Sequence, residues 1–89
     1  MNIQTNAFYL GKQNLHSSKT GKDYVKFALS VEGQYASFIV PKKKADEIEQ
    51  KSPKIFEQFA KNHIPQNCVV TLDIAFTERG NFVGVEEIK

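Results

Sequence analysis

The chain has 89 residues, 40% of them hydrophobic, and a net charge of +2 from twelve basic and ten acidic side chains. That length holds one hydrophobic core, so a single domain of modest stability is expected, to which association into a homodimer or higher homo-oligomer would add. Cys68 is the lone cysteine, which excludes an internal disulfide and a multi-cysteine zinc site and points to the reducing cytoplasm. Met1 to Leu10 lacks a basic start followed by an apolar run, so it does not read as a signal peptide, and no stretch approaches the roughly 20 apolar residues of a membrane span.

In chain order, Ile3, Thr5, Ala7 and Tyr9 alternate with Asn2, Gln4, Asn6 and Phe8, a period of two that predicts a first strand ending near Gly11. The polar run Asn14 to Lys22 reads as an exposed loop closing in a turn at Thr20-Gly21. Val25, Phe27, Leu29 and Val31 then alternate with Tyr24, Lys26, Ala28 and Ser30, a strand with one face in the core. Glu32-Gly33-Gln34 supplies a short turn into a third strand, Tyr35 to Val40, in which Ala36, Phe38 and Val40 face the core and Tyr35 and Ser37 face out.

Beyond Pro41 the spacing of Ile48, Ile55, Phe56, Phe59 and Ala60 becomes helical. Ser52-Pro53 has the form of an N-cap followed by proline at the first helical position, so Lys42 to Asn62 is expected as two short helices or one broken one. Cys68 to Phe76 returns to strand periodicity, Thr77 to Asn81 is a turn, and Phe82 to Ile88 is a fifth strand with Val83 and Val85 on one face. Phe27, Phe38, Phe56, Phe59 and Phe76 follow the apolar phase and are assigned to the core.

The expected fold is therefore all-β with one helical insert, in the order strand, strand, strand, helix, strand, strand. That is the order of a five-stranded Greek-key barrel of the oligonucleotide-binding (OB) type, a closure that limits exposed strand edges.

Charge is unevenly spread. Met1 to Lys44 carries seven lysines against Asp23 and Glu32, whereas the remainder carries five basic and eight acidic residues. Binding of single-stranded nucleic acid needs cations along the phosphates and aromatic faces for unstacked bases, and both occur in the basic half. Lys12, His16, Lys19 and Lys22 fall in or beside the first loop, and Tyr24, Lys26, Ser30, Tyr35 and Ser37 form one outward face of the predicted hairpin. Arg79 and Phe82, in the turn between the last two strands, are expected to border the same groove from near the first loop. Lys42, Lys43 and Lys44, which precede Asp46, Glu47 and Glu49, read as a solvated helix entry.

The stretch Ser18-Lys19-Thr20-Gly21-Lys22-Asp23-Tyr24 ahead of an alternating strand resembles the basic, glycine-containing turn and aromatic of the small single-stranded DNA-binding proteins of filamentous phages. It is similar, more distantly, to the bacterial single-strand binding proteins, and Met1-Asn2-Ile3-Gln4 resembles the start of some of the phage proteins. The resemblance covers about the first forty residues and implies an OB-type protein that binds single-stranded DNA in replication or in maintenance of a phage or mobile element. Two departures stand out: the phage proteins are extended where Lys42 to Asn62 is helical, and Ile88-Lys89 stands in place of the acidic tail through which the bacterial proteins recruit partners.

A catalytic constellation is missing. His16 and His63 are assigned to a loop and a helix end, no serine or cysteine sits in a nucleophile-elbow context, and no phosphate-binding glycine loop occurs. No metal, cofactor or membrane is expected as a partner; single-stranded DNA is, with RNA as the related possibility. The rival reading is a protein-interaction or structural module on a small β-barrel scaffold, since fold alone does not fix function.

Overall fold

The computed structural model describes residues 1–77 and 80–89, with only the backbone described for 76–77 and 80–82. Its elements are β1 (Asn2–His16), β2 (Asp23–Val31), β3 (Gln34–Pro41), α1 (Lys42–Lys51), α2 (Pro53–Asn62), β4 (Gln66–Thr77) and β5 (Gly80–Ile88). The five strands form one antiparallel sheet in the order β3-β2-β1-β4-β5.

β1 extends beyond its expected end at Gly11. Its first half pairs with β4, from Asn2 opposite Asp73 to Tyr9 opposite Gln66, and its second half pairs with β2, from Ala7 opposite Val31 to His16 opposite Asp23. The register shifts between Tyr9 and Gly11, where Gly11 takes φ 126°, a conformation open to glycine because it has no Cβ. The bulge resets the alternation, so a sequence reading that follows period two stops there. Asn14 and His16, which suggested a loop, are exposed rungs of the β1–β2 ribbon, leaving only Ser17 to Lys22 as the connection.

A side chain at Gly11 is doubly excluded: a Cβ there would lie 3.0 Å from the Phe59 ring, in a backbone conformation that L residues avoid. Gly11→Ala is expected to cost about 1–3 kcal/mol of stability. For a domain of this size the melting temperature should fall by roughly 4–8 °C for each kcal/mol. A thermal melt superimposable on that of the parent would show that both the bulge and Phe59 yield without cost.

β2 and β3 follow the expected phase. They are joined by Glu32 and Gly33 at φ 52° and 78°, a two-residue turn whose left-handed residues match strand twist. The helical segment breaks at Ser52, whose extended backbone (φ −144°) separates α1 from α2 and whose N–H donates to the Glu49 carbonyl. Ser52 occupies the N-cap position with Pro53 behind it, but its hydroxyl makes no capping bond. In β5 the register shifts opposite Thr71/Leu72, bringing Val85 and Ile88 both into the core despite their odd spacing.

The inward faces bury Ala7, Tyr9, Val25, Phe27, Leu29, Val40, Val70, Val85 and Ile88, and the helices cover them with Ala45, Ile48 and Phe56. Tyr9 meets Phe56 and Phe59 edge-on at ring separations of 4.8 and 5.2 Å, and Phe27 lies 5.9 Å from Phe56. Of the other expected core phenylalanines, Phe38 and Phe59 pack partly buried against this cluster, and the Phe76 side chain lies outside the described residues.

Ion pairs tie α1 to the sheet: Lys12 of β1 with Glu49, Lys44 with Glu86 of β5 at 2.6 Å, and Lys51 with Glu87 at 3.5 Å. Such partly solvated pairs orient the helix more than they stabilise it. β3 and β5 are the sheet's two edges; their Cα atoms approach within 8 Å, but among the described residues no hydrogen-bonded ladder joins them. Among the described residues, no helix is long and apolar enough to cross a membrane.

Candidate nucleic-acid interface

The face of β1–β2–β3 turned away from the helices is built by alternation. Because Val25, Phe27 and Leu29 are buried, Tyr24, Lys26, Ala28 and Ser30 must emerge on the other side, and register extends that face to both neighbours. Leu15, Tyr24 and Pro41 lie in one row across the three strands, Gln13, Lys26 and Ile39 in the next used row, and Phe8, Ser30 and Tyr35 in the last. Between these rows Ala28 faces Ser37.

Tyr24 and Tyr35 thus stand on one side of the hairpin. Their rows are six residues apart along β2, at Tyr24 and Ser30, a span of ~20 Å with Lys26 between them. Tyr35 is 66% exposed, Ile39 59% and Phe8 48%, while Tyr24 is half-buried. Phe8, opposite Ser30, adds a third ring that the sequence analysis left out of the candidate set. Phe8 falls between Ala7 and Tyr9, both buried, so it points outward where they point inward. Gln13, Leu15 and Ile39 join this face through the extended β1 and the β2–β3 register.

Lys19 and Lys22 are exposed on the Ser17–Lys22 connection, which is drawn tight by Gly21 N–H donating to Ser17 O at 2.8 Å and Ser17 N–H to Lys22 O at 2.9 Å. His16 closes the ribbon below it, with Nδ1 2.7 Å from Asp23 Oδ1. Lys26 and Ser37 sit on the face itself.

Lys12 reaches the group only at its margin, lining one depression together with Lys26 and Tyr35. It lies inside β1, opposite inward-facing Phe27, and its ammonium pairs with Glu49 on the helix side. Its expected place beside a loop followed from a strand ending near Gly11, whereas β1 continues to His16 and the bulge inverts the facing of the residues after it. Arg79 lies outside the described residues, as does the Phe82 side chain, of which only the backbone, opposite Ala75, is described. The expected closeness of their turn to the first loop therefore lies outside the described residues as well. β4 pairs with both β1 and β5 over Val70 to Asp73 and continues with β5 to Thr77 opposite Gly80. Of the three successive lysines, Lys42 pairs with Asp46 at 2.6 Å, Lys44 with Glu86, and Lys43 is exposed.

The third tyrosine behaves differently. Burial, together with the nearby charge of Glu49, pushes the Tyr9 phenol well above its ordinary range, in keeping with a core role. Burial likewise raises the Cys68 thiol, whose Sγ lies 3.5 Å from the Ala7 carbonyl, leaving a packing residue with little thiolate. Among the described residues no group of three or more His, Cys, Asp or Glu side chains gathers to hold a metal ion. Comparison with protein-family models, with curated proteins and with solved structures finds no match for this chain.

Proposed function

We propose that this protein binds single-stranded nucleic acid, single-stranded DNA above all, by stacking bases on the outer face of β1–β2–β3 and pairing phosphates with lysines, without catalysing a reaction. One observation carries this reading: register sets Tyr24, Tyr35 and Phe8 on one face with Lys26 among them and Lys19 and Lys22 beside its end. Each base stacked on an aromatic ring contributes about 1–3 kcal/mol with little regard to sequence, and a cation between rings suits the phosphate that links two bases. The strand order and the approach of β3 to β5 support a sheet curled into a partly open OB-type barrel, in which the face of the second and third strands is the binding surface. The resemblance of Ser18 to Tyr24 to phage single-stranded DNA-binding proteins supports a role in replication or maintenance of a phage or mobile element. The lone buried Cys68 suits a cytoplasmic setting.

Ile39, exposed in the row of Lys26, gives the face an apolar share that would also suit a protein partner, and salt separates the two readings. In anisotropy titrations with labelled oligothymidine, log K should fall linearly with log salt, with a slope of about −0.7 per phosphate neutralised. Lys22→Gln and Lys26→Gln should each reduce that slope by about 0.7. Affinity indifferent to salt would favour the protein-interaction module, and equal affinity for duplex and single strands would overturn the single-strand reading. RNA run alongside DNA assigns the sugar.

A further inference from the structure

At the bulge the outer face dips. Gly11 has no side chain, Ala28 opposite it has only a methyl group, and the ring of Phe59 on α2 lies against Gly11 from below. The result is a depression of about 270 Å³ lined by Leu10, Gly11, Ala28, Phe59, Tyr35 and Gln13 and by two lysines, Lys26 and the Glu49-paired Lys12. Small residues and a ring make an apolar floor, Tyr35 stands on one side, and the Gln13–Lys26 pair stands on the other. Four other depressions on the molecule each include a carboxylate, from Glu32, Asp23, Glu32 again, or Asp46 with Glu49. This one has none, and it lies midway between the rows of Tyr35 and Tyr24.

We infer that this depression is a nucleobase pocket: one unstacked base enters edge-first beside Tyr35, the Gln13 carboxamide hydrogen-bonds its polar edge, and Lys26 meets the adjoining phosphate. The inference rests on the single-strand reading above and deepens it. A flat aromatic platform tolerates any sequence, whereas a carboxamide carries one acceptor and two donor hydrogens that match some base edges better than others. The pocket therefore gives the protein a base preference that stacking alone would not. The bulge is its cause, because an uninterrupted β1 would set a side chain over Ala28.

The test compares oligomers of dT, dA and dC, equal in length, against the parent protein, Ala28→Leu and Gln13→Ala by anisotropy titration. Ala28→Val serves in place of Ala28→Leu if the longer side chain disturbs the thermal melt. The parent should discriminate among the oligomers; Gln13→Ala should shrink the spread at least roughly fivefold, the low end of what one side chain–base pairing supplies. Filling the pocket at Ala28 should weaken binding to all three oligomers by a similar factor or more. Unchanged ratios in Gln13→Ala, or unchanged affinity in the Ala28 variants, overturns the pocket while leaving the stacking face intact. A parent protein that binds none of the oligomers overturns the single-strand reading itself, and the pocket falls with it.

Discussion

Replacing both Tyr24 and Tyr35 with alanine is expected to weaken oligothymidine binding by about 2–6 kcal/mol, a loss of roughly thirtyfold to twenty-thousandfold. The two rings are far enough apart, in rows six residues separated along β2, for their losses to add. Stability should change little, because Tyr35 is mostly in water and Tyr24 only half-buried. Anisotropy gives the affinity and a thermal melt gives the stability. The opposite pattern, binding intact and the melt much lowered, would mean that the rings serve the fold and that the face is not a stacking surface. Phe8→Ala, added third, should remove a further increment, since Phe8 shares its row with Tyr35 across Ser30.

Phe27→Ala should cost about 3–5 kcal/mol, the lost transfer free energy of a buried ring plus the cavity it leaves. Phe27 is fully buried in the centre of β2 and packs at 5.9 Å against Phe56, which joins the helices to the sheet. Native domains hold only about 5–15 kcal/mol in all, and a short chain sits toward the lower end, so much of the population should unfold. Urea denaturation followed by circular dichroism would measure it. Phe8→Ala, the same deletion on the outward side of the neighbouring strand, should move the midpoint far less. Equal midpoints for the two variants would contradict the assignment of faces on which the interface depends.

That assignment was legible in the sequence where alternation is unbroken. Val25 to Val31 and Tyr35 to Val40 each declare one wet and one dry side, and the break at Ser52-Pro53 is where a proline in the first helical turn would set it. It was not legible past Gly11. A bulge adds one residue to one strand without any mark beyond the glycine itself, so the facing of Lys12 through His16 and the true length of β1 depend on pairing with β2. Lys12 was misplaced for that reason, and its partner Glu49 lies 37 residues away, beyond the reach of any local pattern. The second register shift, which buries Ile88, is hidden in the same way within β5. The facing of Phe8 is likewise not set by the sequence, because Ile3 and Thr5 leave the phase of β1 open and the burial of Ala7 and Tyr9 fixes it.

β1 belongs to two ladders at once, and Ala7, Phe8 and Tyr9 are rungs of both. The hairpin of β2 with β3 and the hairpin of β4 with β5 are each anchored to that strand, so neither can peel away without stripping hydrogen bonds from the chain that holds the other. Local opening should therefore begin at the edge strands β3 and β5, and β1 should be the last strand to let go.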